Sequence, residues 1–256
     1  MTTRVILTAF AFCLLSSCIY VINDIFDIES DKNHPIKKLR PIPSGRISNR
    51  EAISIALLLG AIGFLLGYEV SLAVLAILLA YFIMNMFYDF WLKQIVLLDV
   101  FCISAGFMLR ILAGTYGVGI PPSKWLLLCG LMITLFLGFS KRKAELISGM
   151  QNKHEMREVL RNYSPALLDE LISICAAAII ITYSLYTMSS QTMHIHHTSD
   201  LIYTVPFVIY ALFRYIYLLH RHQTGEDPTG DLLKDRHILA AVAGWSLLTF
   251  YLIKLH

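Results

Sequence analysis

The sequence predicts an all-α protein, a polytopic bundle of transmembrane helices. The chain has 256 residues, of which 57% are hydrophobic, and its mean hydropathy is +0.64. Soluble domains have an apolar share of roughly 45–50%. Windows of about 19 residues show eight apolar runs near the length that spans a bilayer. These runs are Val5–Ile22, Ala52–Tyr68, Val70–Tyr88, Val96–Tyr116, Trp125–Phe139, Leu167–Met188, Leu201–Leu219 and His237–Leu255.

Helices are expected in these runs because a bilayer admits only helices or closed barrels, and most runs lack the alternation of a membrane barrel. The first run is interpreted as a membrane helix and not as a signal peptide, because it continues without a cleavage-like break into an acidic segment. The five cysteines lie in the runs, form no CxxC pair and are interpreted as packing residues. We expect residues 1–256 to form a single membrane domain.

The distribution of basic residues predicts the orientation of the helices. The loops after runs one, three, five and seven contain sixteen lysines and arginines, whereas the loops after runs two, four and six contain only Lys124. The positive-inside rule therefore places the first set of loops in the cytoplasm and both termini outside. Attraction to anionic lipid headgroups is an alternative explanation for any one of these basic residues.

An acidic segment continues the first run out of the bilayer. On a helix, the spacing puts four polar side chains on one face: Asn23, Asp24, Asp27 and Asp31. Like charges at these spacings repel one another, which favours a bound cation. Oxygen ligands without nearby His or Cys suit Mg²⁺, which proteins hold through few carboxylates together with substrate phosphates. The alternative is a solvated acidic helix end.

A basic, proline-containing loop follows the acidic segment. Its prolines end the helix and bend the chain, so that Lys37 and Arg40 are expected to return toward the carboxylates. A metal site beside such a loop suits a diphosphate, because the ion bridges phosphate oxygens and the cations neutralise the remaining charge.

Further charged residues lie on the same predicted side of the membrane. Tyr88 and Lys93 join runs three and four, and a charged group leaves run five: Lys141, Arg142 and Glu145. We interpret these five residues as substrate-binding candidates. A salt-bridged helix end is the alternative for the last three, which lie within about one helical turn.

Arg110 lies within an apolar run, where an unpaired guanidinium is costly, so it is expected to face the bundle interior or to reach an interface. It is a further substrate-binding candidate, and Asp99 is considered as its partner. The loop of residues 225–231 is interpreted as a connector or a lid.

The Asn23-Asp24-x-x-Asp27-x-x-x-Asp31 motif, followed by His34-Pro35-x-Lys37-x-x-Arg40-Pro41, resembles the UbiA superfamily of intramembrane prenyltransferases. Four further strings look like the decaprenyl-phosphate phosphoribosyltransferase branch of that superfamily: Tyr88–Lys93, Ser104–Arg110, Lys141–Leu146 and Gly225–Pro228. The superfamily generally has nine membrane helices, and by this resemblance the chain is expected to start at the second.

The resemblance implies transfer of 5-phosphoribose from phosphoribosyl diphosphate to a polyprenyl phosphate. It makes Asp24, Asp27 and Asp31 the catalytic residues and the Mg²⁺ ligands, and it implies a bacterial plasma membrane with the site on the cytoplasmic face. Prenyl-diphosphate users of this superfamily usually carry a second aspartate-rich motif, but residues 140–164 contain no aspartate. Their basic residues suit a donor with an additional 5-phosphate and an anionic acceptor, whose phosphate Arg110 is expected to reach.

Two alternatives remain. The first is a UbiA-type prenyltransferase with a prenyl diphosphate donor and an aromatic or quinone-precursor acceptor. The second is a non-catalytic transporter or lipid-binding subunit, although transporters usually place charged groups near the bilayer midplane in repeated halves. The expected partners are the two substrates and membrane lipid. No nucleic-acid partner is expected, and a homo-oligomer is left open.

Overall fold

The computed structural model describes residues 2–33, 37–152, 158–221 and 234–255, and the described part is helical, without strands. We number its α-helices α1 (Thr2–Phe26), α2 (Ile28–Asn33), α3 (Asn49–Val70), α4 (Leu72–Phe90), α5 (Leu98–Gly114), α6 (Lys124–Asn152), α7 (Pro165–Met188), α8 (Ser190–His196), α9 (Val205–Arg221) and α10 (Arg236–Leu255). Eight helical segments in the described residues are long and apolar enough to cross a membrane. The predicted all-α class with eight membrane helices is therefore confirmed.

Two of these helices, α1 and α6, continue past the carboxyl end of their apolar runs by about one helical turn or more. The first apolar run ends at Ile22, whereas α1 continues to Phe26. The fifth run ends at Phe139, whereas α6 continues to Asn152. The extension of α6 contains charged side chains with partners within the fold, so the helix persists where the hydropathy falls.

The chain divides into two compact units. Unit 1 contains Met1–Leu92 and Gly106–Pro122, and unit 2 contains Lys93–Ala105 and Ser123–His256. Helix α5 contributes its first turns to unit 2 and its last turns to unit 1. The expectation of a single domain stays a prediction.

In unit 1, α3 packs against α1 through small residues. Five of the six buried residues of α3 are alanines and glycines: Ala52, Ala56, Gly60, Gly63 and Gly67. A Cβ atom on Gly63 would lie 3.3 Å from the carbonyl oxygen of Ala11 in α1. Small residues allow two membrane helices to approach closely, which fixes the position of α1 and of the acidic segment that follows it.

In unit 2, α6 and α7 form the centre of an apolar core. Phe139, Leu168 and Ile172 are almost completely buried there, together with Val100 of α5. A Cβ atom on Gly138 would lie 2.5 Å from Cγ1 of Val100. Because a β-branched side chain is stiff, this glycine is required for the close contact between α5 and α6.

Candidate functional site

The acidic segment lies at a short break between α1 and α2. Helix α1 ends at Phe26, Asp27 lies in a turn, and α2 begins at Ile28. The amide of Asp27 donates to the carbonyl of Asn23 at 2.9 Å, and the amide of Asp31 donates to the carbonyl of Asp27 at 2.8 Å. Helical hydrogen bonding therefore runs through the break and keeps the polar side chains on successive turns.

Arg40 joins two of the predicted carboxylates. Its Nη1 atom donates to Oδ1 of Asp24 at 2.7 Å and to Oδ2 of Asp31 at 3.0 Å. The Asp31 side chain is 1% exposed and that of Asp24 is 26% exposed, whereas Arg40 is 44% exposed. One guanidinium thus pairs with two carboxylates from different turns, and the loop returns to the helix end through Arg40 as the sequence predicts.

The other two residues of the acidic segment lie close by. Asp27 is half-buried at the break itself. The Oδ1 atom of Asn23 is buried and accepts no hydrogen bond from the residues that the structure describes. Since a buried acceptor without a donor is costly, the Asn23 oxygen is suited to a ligand or a cation.

These side chains fit a magnesium ion. Within the described ranges, no three His, Cys, Asp or Glu side chains form a ready-made metal cluster. Mg²⁺, however, is usually held by one or two carboxylates and completed by substrate phosphates and water. Asp24 and Asp31 already converge on one positive group, and the Asn23 oxygen adds a neutral ligand. Their donor set is therefore the one a hard divalent cation prefers.

A cavity of about 440 Å³ adjoins this helix end in unit 1. It is lined by the end of α1, by α2 and by the loop before α3, including Phe26, Lys32 and Pro43. The aspartates lie on other faces of the same turns. The side chain of Lys37 lies outside the described residues, as does the loop of residues 225–231.

Tyr88 lies in the last turn of α4, half-buried. Two residues further on, Phe90 packs edge-to-face on Phe26 of α1, with ring centroids 4.8 Å apart. This aromatic pair places the end of α4 beside the end of α1, so Tyr88 and the acidic segment belong to the same end of unit 1.

Arg110 has neutral partners in unit 1. Its Nη2 atom donates to the Tyr81 hydroxyl at 2.8 Å and to the Ser16 hydroxyl at 3.2 Å. The pairing considered between Arg110 and Asp99 is wrong, because Asp99 binds Arg142. Sequence reasoning missed Ser16 and Tyr81, since a hydroxyl in an apolar run has no signal of its own.

In unit 2, Arg142 is held between two carboxylates. Its Nε atom donates to Oδ2 of Asp99 at 2.7 Å, and its Nη1 atom donates to Glu145. The side chains of Asp99 and Arg142 are only 1% and 4% exposed. The substrate-binding roles of Arg142 and Glu145 stay predictions, but in this structure each neutralises the other.

Tyr163 completes this buried network, and the sequence did not predict it. Its hydroxyl donates to Oδ1 of Asp99 at 2.8 Å and accepts from the amide of Leu97 at 2.7 Å. Burial, followed by the hydrogen bond to Asp99, raises the pKa of Tyr163 above its ordinary value. The phenol therefore remains a neutral donor that supports the Asp99 carboxylate.

The remaining predicted cations of unit 2 differ in exposure. Lys141 is exposed, and Lys93 is half-buried in the turn Leu92–Gln94. Lys143 is buried, and its Nζ atom lies 2.5 Å from Oδ1 of Asp169 and 3.3 Å from Nε2 of His220. Of the three consecutive basic residues in α6, only Lys141 therefore presents its charge to the surroundings.

Within the described residues, eight helices of membrane length, with a polar site at the end of the first, define a multi-pass membrane protein with a candidate site at a helix end. Residues 2–230 match the model of the UbiA prenyltransferase family, and the chain belongs to that family. It is therefore a multi-pass membrane protein and an enzyme, a transferase.

Relatives support this assignment. The decaprenyl-phosphate phosphoribosyltransferase of Mycolicibacterium smegmatis is 31% identical over 241 residues, which cover 91% of this chain and 75% of that protein. The protein of the same name from Corynebacterium glutamicum is 32% identical over 211 residues, or 80% of this chain and 62% of its own length. The structure of a UbiA homologue from Archaeoglobus fulgidus, bound to GPP and Mg²⁺, has a TM-score of 0.71 at 14% identity and covers 99% of this chain and 86% of that one. It shows that the fold is shared.

Proposed function

We propose that the protein transfers 5-phosphoribose from phosphoribosyl diphosphate to a polyprenyl phosphate and releases diphosphate, with Mg²⁺ as cofactor. The names of the two bacterial relatives support the donor and acceptor classes. The acidic segment supports the metal, because Asp24 and Asp31 converge on a single cationic group. That convergence is the observation on which the proposal depends.

The residues of the acidic segment have distinct roles in this proposal. Asp24, Asp27 and Asp31 are the metal ligands, and Asn23 adds its amide oxygen. When bound, Mg²⁺ supplies positive charge that stabilises the departing diphosphate. Arg40 contacts both carboxylates through Nη1 alone. Since a guanidinium has five N–H donors in a planar fork, its Nε and Nη2 are suited to the phosphate oxygens of the donor.

The reaction is a displacement at the anomeric carbon of ribose. An oxygen of the acceptor phosphate forms the new bond to this carbon, and the bond to the diphosphate breaks, with the electron pair leaving on the diphosphate. A phosphate monoester is at least singly ionised at neutral pH, its second pKa being about 6. The chain therefore needs no general base, and its residues act by binding and orienting two anions.

The predicted substrate roles of the other residues belong to this proposal as well. Tyr88 lies at the same end of unit 1 as the acidic segment. Lys93 and Lys141 retain the phosphate-binding role that their charge predicts, and Arg142 with Glu145 supports the helix turn that carries Lys141. We further propose a single functional domain in a bacterial plasma membrane, with the acidic segment on the cytoplasmic side.

The metal role is tested by replacing Asp24 with Asn, which removes a charge and retains the size of the side chain. We expect phosphoribosyl transfer to fall by at least about 100-fold, as for loss of a major electrostatic contact in the transition state. Transfer is measured as label from phosphoribosyl diphosphate that enters an organic-extractable lipid, over a series of Mg²⁺ concentrations. Asp27→Asn is expected to behave in the same way.

Glu29→Gln is the matched control, because Glu29 lies in the same segment with its side chain 92% exposed and paired with Lys32. It should retain activity close to that of the wild type. Full activity of Asp24→Asn at every Mg²⁺ concentration would contradict the metal role.

Prenyl transfer is the second candidate, and the GPP-bound structure of the Archaeoglobus homologue favours it. The same assay distinguishes the two functions. Label from phosphoribosyl diphosphate in an acid-labile lipid supports the first function. Absence of that product, together with turnover of a prenyl diphosphate and an aromatic acceptor, would support the second.

A further inference from the structure

A polar cluster lies inside the membrane spans of unit 1. It consists of Ser16 from α1, Tyr81 from α4 and Arg110 from α5, each within a helix that can cross the membrane. Arg110 donates to both hydroxyl groups, which are themselves 3.2 Å apart. Tyr81 is buried, and its ring packs edge-to-face on Phe12. The hydroxyl groups are thus held in place by helix packing.

Arg110 forms no ion pair with any residue that the structure describes. Besides the two hydroxyls, it contacts the faces of the Tyr81 and Phe107 rings, 5.4 Å and 5.3 Å from their centroids. A guanidinium within a membrane span is costly unless it meets a counter-charge or a water-filled cavity. Arg142 and Arg214, which also lie in membrane-length helices, each have a carboxylate partner. Arg110 is exposed, and among the described residues it therefore has no carboxylate that compensates its positive charge.

The hydrogen bonds of the cluster leave an excess of donors. Arg110 can only donate, and it uses one nitrogen atom for both hydroxyls. Ser16 and Tyr81 share one hydrogen bond, in which one hydroxyl donates to the other. The hydrogen of the accepting hydroxyl is then available to donate to a ligand, whichever residue is the donor. The cluster thus presents N–H groups, one O–H group and a net positive charge, a combination that is complementary to an oxyanion.

The cluster is separated from the acidic segment along α1. Ser16 precedes Asp24 by eight residues, which is about 12 Å along a helix axis. At this separation, a diphosphate bound at the acidic segment is not also the oxyanion that Arg110 binds. The two sites therefore take two different groups.

We propose that Ser16, Tyr81 and Arg110 form a subsite for a phosphate monoester, separate from the diphosphate site. The proposal rests on the proposed function for the identity of the ligand, because both substrates of that reaction carry such a group: the donor its 5-phosphate and the acceptor its lipid phosphate. The chemistry that the cluster recognises is the same in both. Ser16 and Tyr81 are specificity residues in this proposal. Neither could be identified from the sequence, because neither is charged or belongs to a recognisable motif.

The test uses the full chain in lipid nanodiscs and measures the binding of ribose 5-phosphate and of a polyprenyl phosphate separately by calorimetry. Arg110→Met removes the charge and retains an unbranched side chain. This substitution should lower the affinity for one of the two probes by about 10- to 100-fold, which is the loss expected when a charge-assisted hydrogen bond is removed. Arg110→Lys should recover part of the affinity for that probe. Tyr81→Phe and Ser16→Ala should each lower the affinity for the same probe several-fold.

Two controls separate a binding role from a structural one. Arg50→Met removes an exposed arginine at the start of α3 in the same unit and should leave both affinities unchanged. Inorganic diphosphate with Mg²⁺ should bind Arg110→Met as it binds the wild type. In steady-state assays, the KM for the affected substrate should rise while the KM for the other stays within about twofold.

A loss confined to ribose 5-phosphate assigns the subsite to the donor, and a loss confined to polyprenyl phosphate assigns it to the acceptor. Unchanged affinity of Arg110→Met for both probes, or an equal loss for both probes and for diphosphate, would overturn the subsite. Binding of either probe that depends on Arg110, in a wild-type protein that catalyses no phosphoribosyl transfer, would contradict the proposed function and retain the subsite. A wild type that binds neither probe contradicts both.

Discussion

Residues with the same charge have different roles in this protein, and burial distinguishes them. Arg40 is 44% exposed and contacts two carboxylates at a helix end. Arg142 is 4% exposed and is enclosed by Asp99, Glu145 and a supporting phenol. A buried ion pair gains little over well-packed apolar side chains, but removal of one partner leaves an uncompensated charge. The Asp99–Arg142 pair is therefore expected to matter for stability, whereas Arg40 is free to exchange partners at the surface.

Replacement of Asp99 by Asn should destabilise the folded protein by about 1.5–3 kcal/mol, because it removes a charge-assisted contact from the buried guanidinium of Arg142, which keeps its contact with Glu145. The measurement is reversible unfolding in mixed micelles, followed by tryptophan fluorescence. Lys141→Gln is the matched control, since Lys141 is adjacent in α6 but exposed, and it should change stability by less than about 0.5 kcal/mol. Equal stability of Asp99→Asn and the wild type would contradict the importance of the pair.

At the scale of the helices, polar residues at helix ends determine how the elements of each unit are joined. Ser48 and Glu51 form a reciprocal cap that begins α3. Ser71 ends α3, caps α4 and donates to the carbonyl of Gly117 at 2.7 Å. In unit 2, Asp235 accepts a hydrogen bond from the amide of Ile238 and pairs with Arg214 of α9 at 2.8 Å. One carboxylate thus caps α10 and links it to α9.

The link at Asp235 should depend on pH. Hydrogen bonds from Arg214 lower the pKa of Asp235 from 3.8 to about 2. A carboxyl whose pKa is lower in the folded chain stabilises the fold above its unfolded pKa, and this contribution is lost as the pH falls through the folded pKa. Asp235→Asn should therefore be less stable than the wild type at neutral pH, and the difference in Tm should vanish as the pH falls from about 4 toward 2.

Asp200→Asn is a suitable control for this pH series. Among the described residues, the Asp200 carboxylate accepts a hydrogen bond from the Ser199 hydroxyl and forms no ion pair, while the Asp200 amide donates to the Thr198 hydroxyl. Its Tm difference from the wild type should stay constant over the same range. A Tm difference for Asp235→Asn that persists at pH 2 would contradict the charge as its main cause, because Asn retains an oxygen that can cap α10.

At the scale of the whole molecule, the asymmetry of basic residues predicts the membrane topology. One set of loops contains sixteen lysines and arginines and the other only Lys124, which predicts a cytoplasmic position for the acidic segment and its loop. If the proposed function is correct, a site on this side would have direct access to the water-soluble donor, and the helices would hold the lipid acceptor.

This topology is tested by labelling with a membrane-impermeant maleimide. The five native cysteines are free and lie in helices, so they are first replaced by Ala. Arg46→Cys should then be labelled only from the cytoplasmic side, and Lys124→Cys only from the opposite side. Both positions are exposed in the structure. Labelling of both cysteines from the same side would contradict the predicted arrangement.

Local patterns explain why part of the site could be predicted. The acidic segment and Arg40 lie within 16 residues of one another, so helix periodicity and the prolines of the loop suffice to bring them together. The partners of the other charged residues are distant in sequence: Asp99 and Arg142 are 43 residues apart, and Ser16 and Arg110 are 94 apart. For this reason the sequence suggested Arg110, on the same helix, as the partner of Asp99, whereas the actual partner is Arg142.

By itself, the sequence determined the membrane class, the eight spans, their predicted orientation and the acidic segment. These features can be predicted span by span, because the stability of each helix in the bilayer depends on the composition of that helix itself. Only the tertiary structure decided which arginine has a carboxylate and which has hydroxyl groups alone. That choice depends on which helix faces meet. Packing contacts of uncharged residues contribute to this, such as the contact of Gly138 in α6 with Val100 in α5.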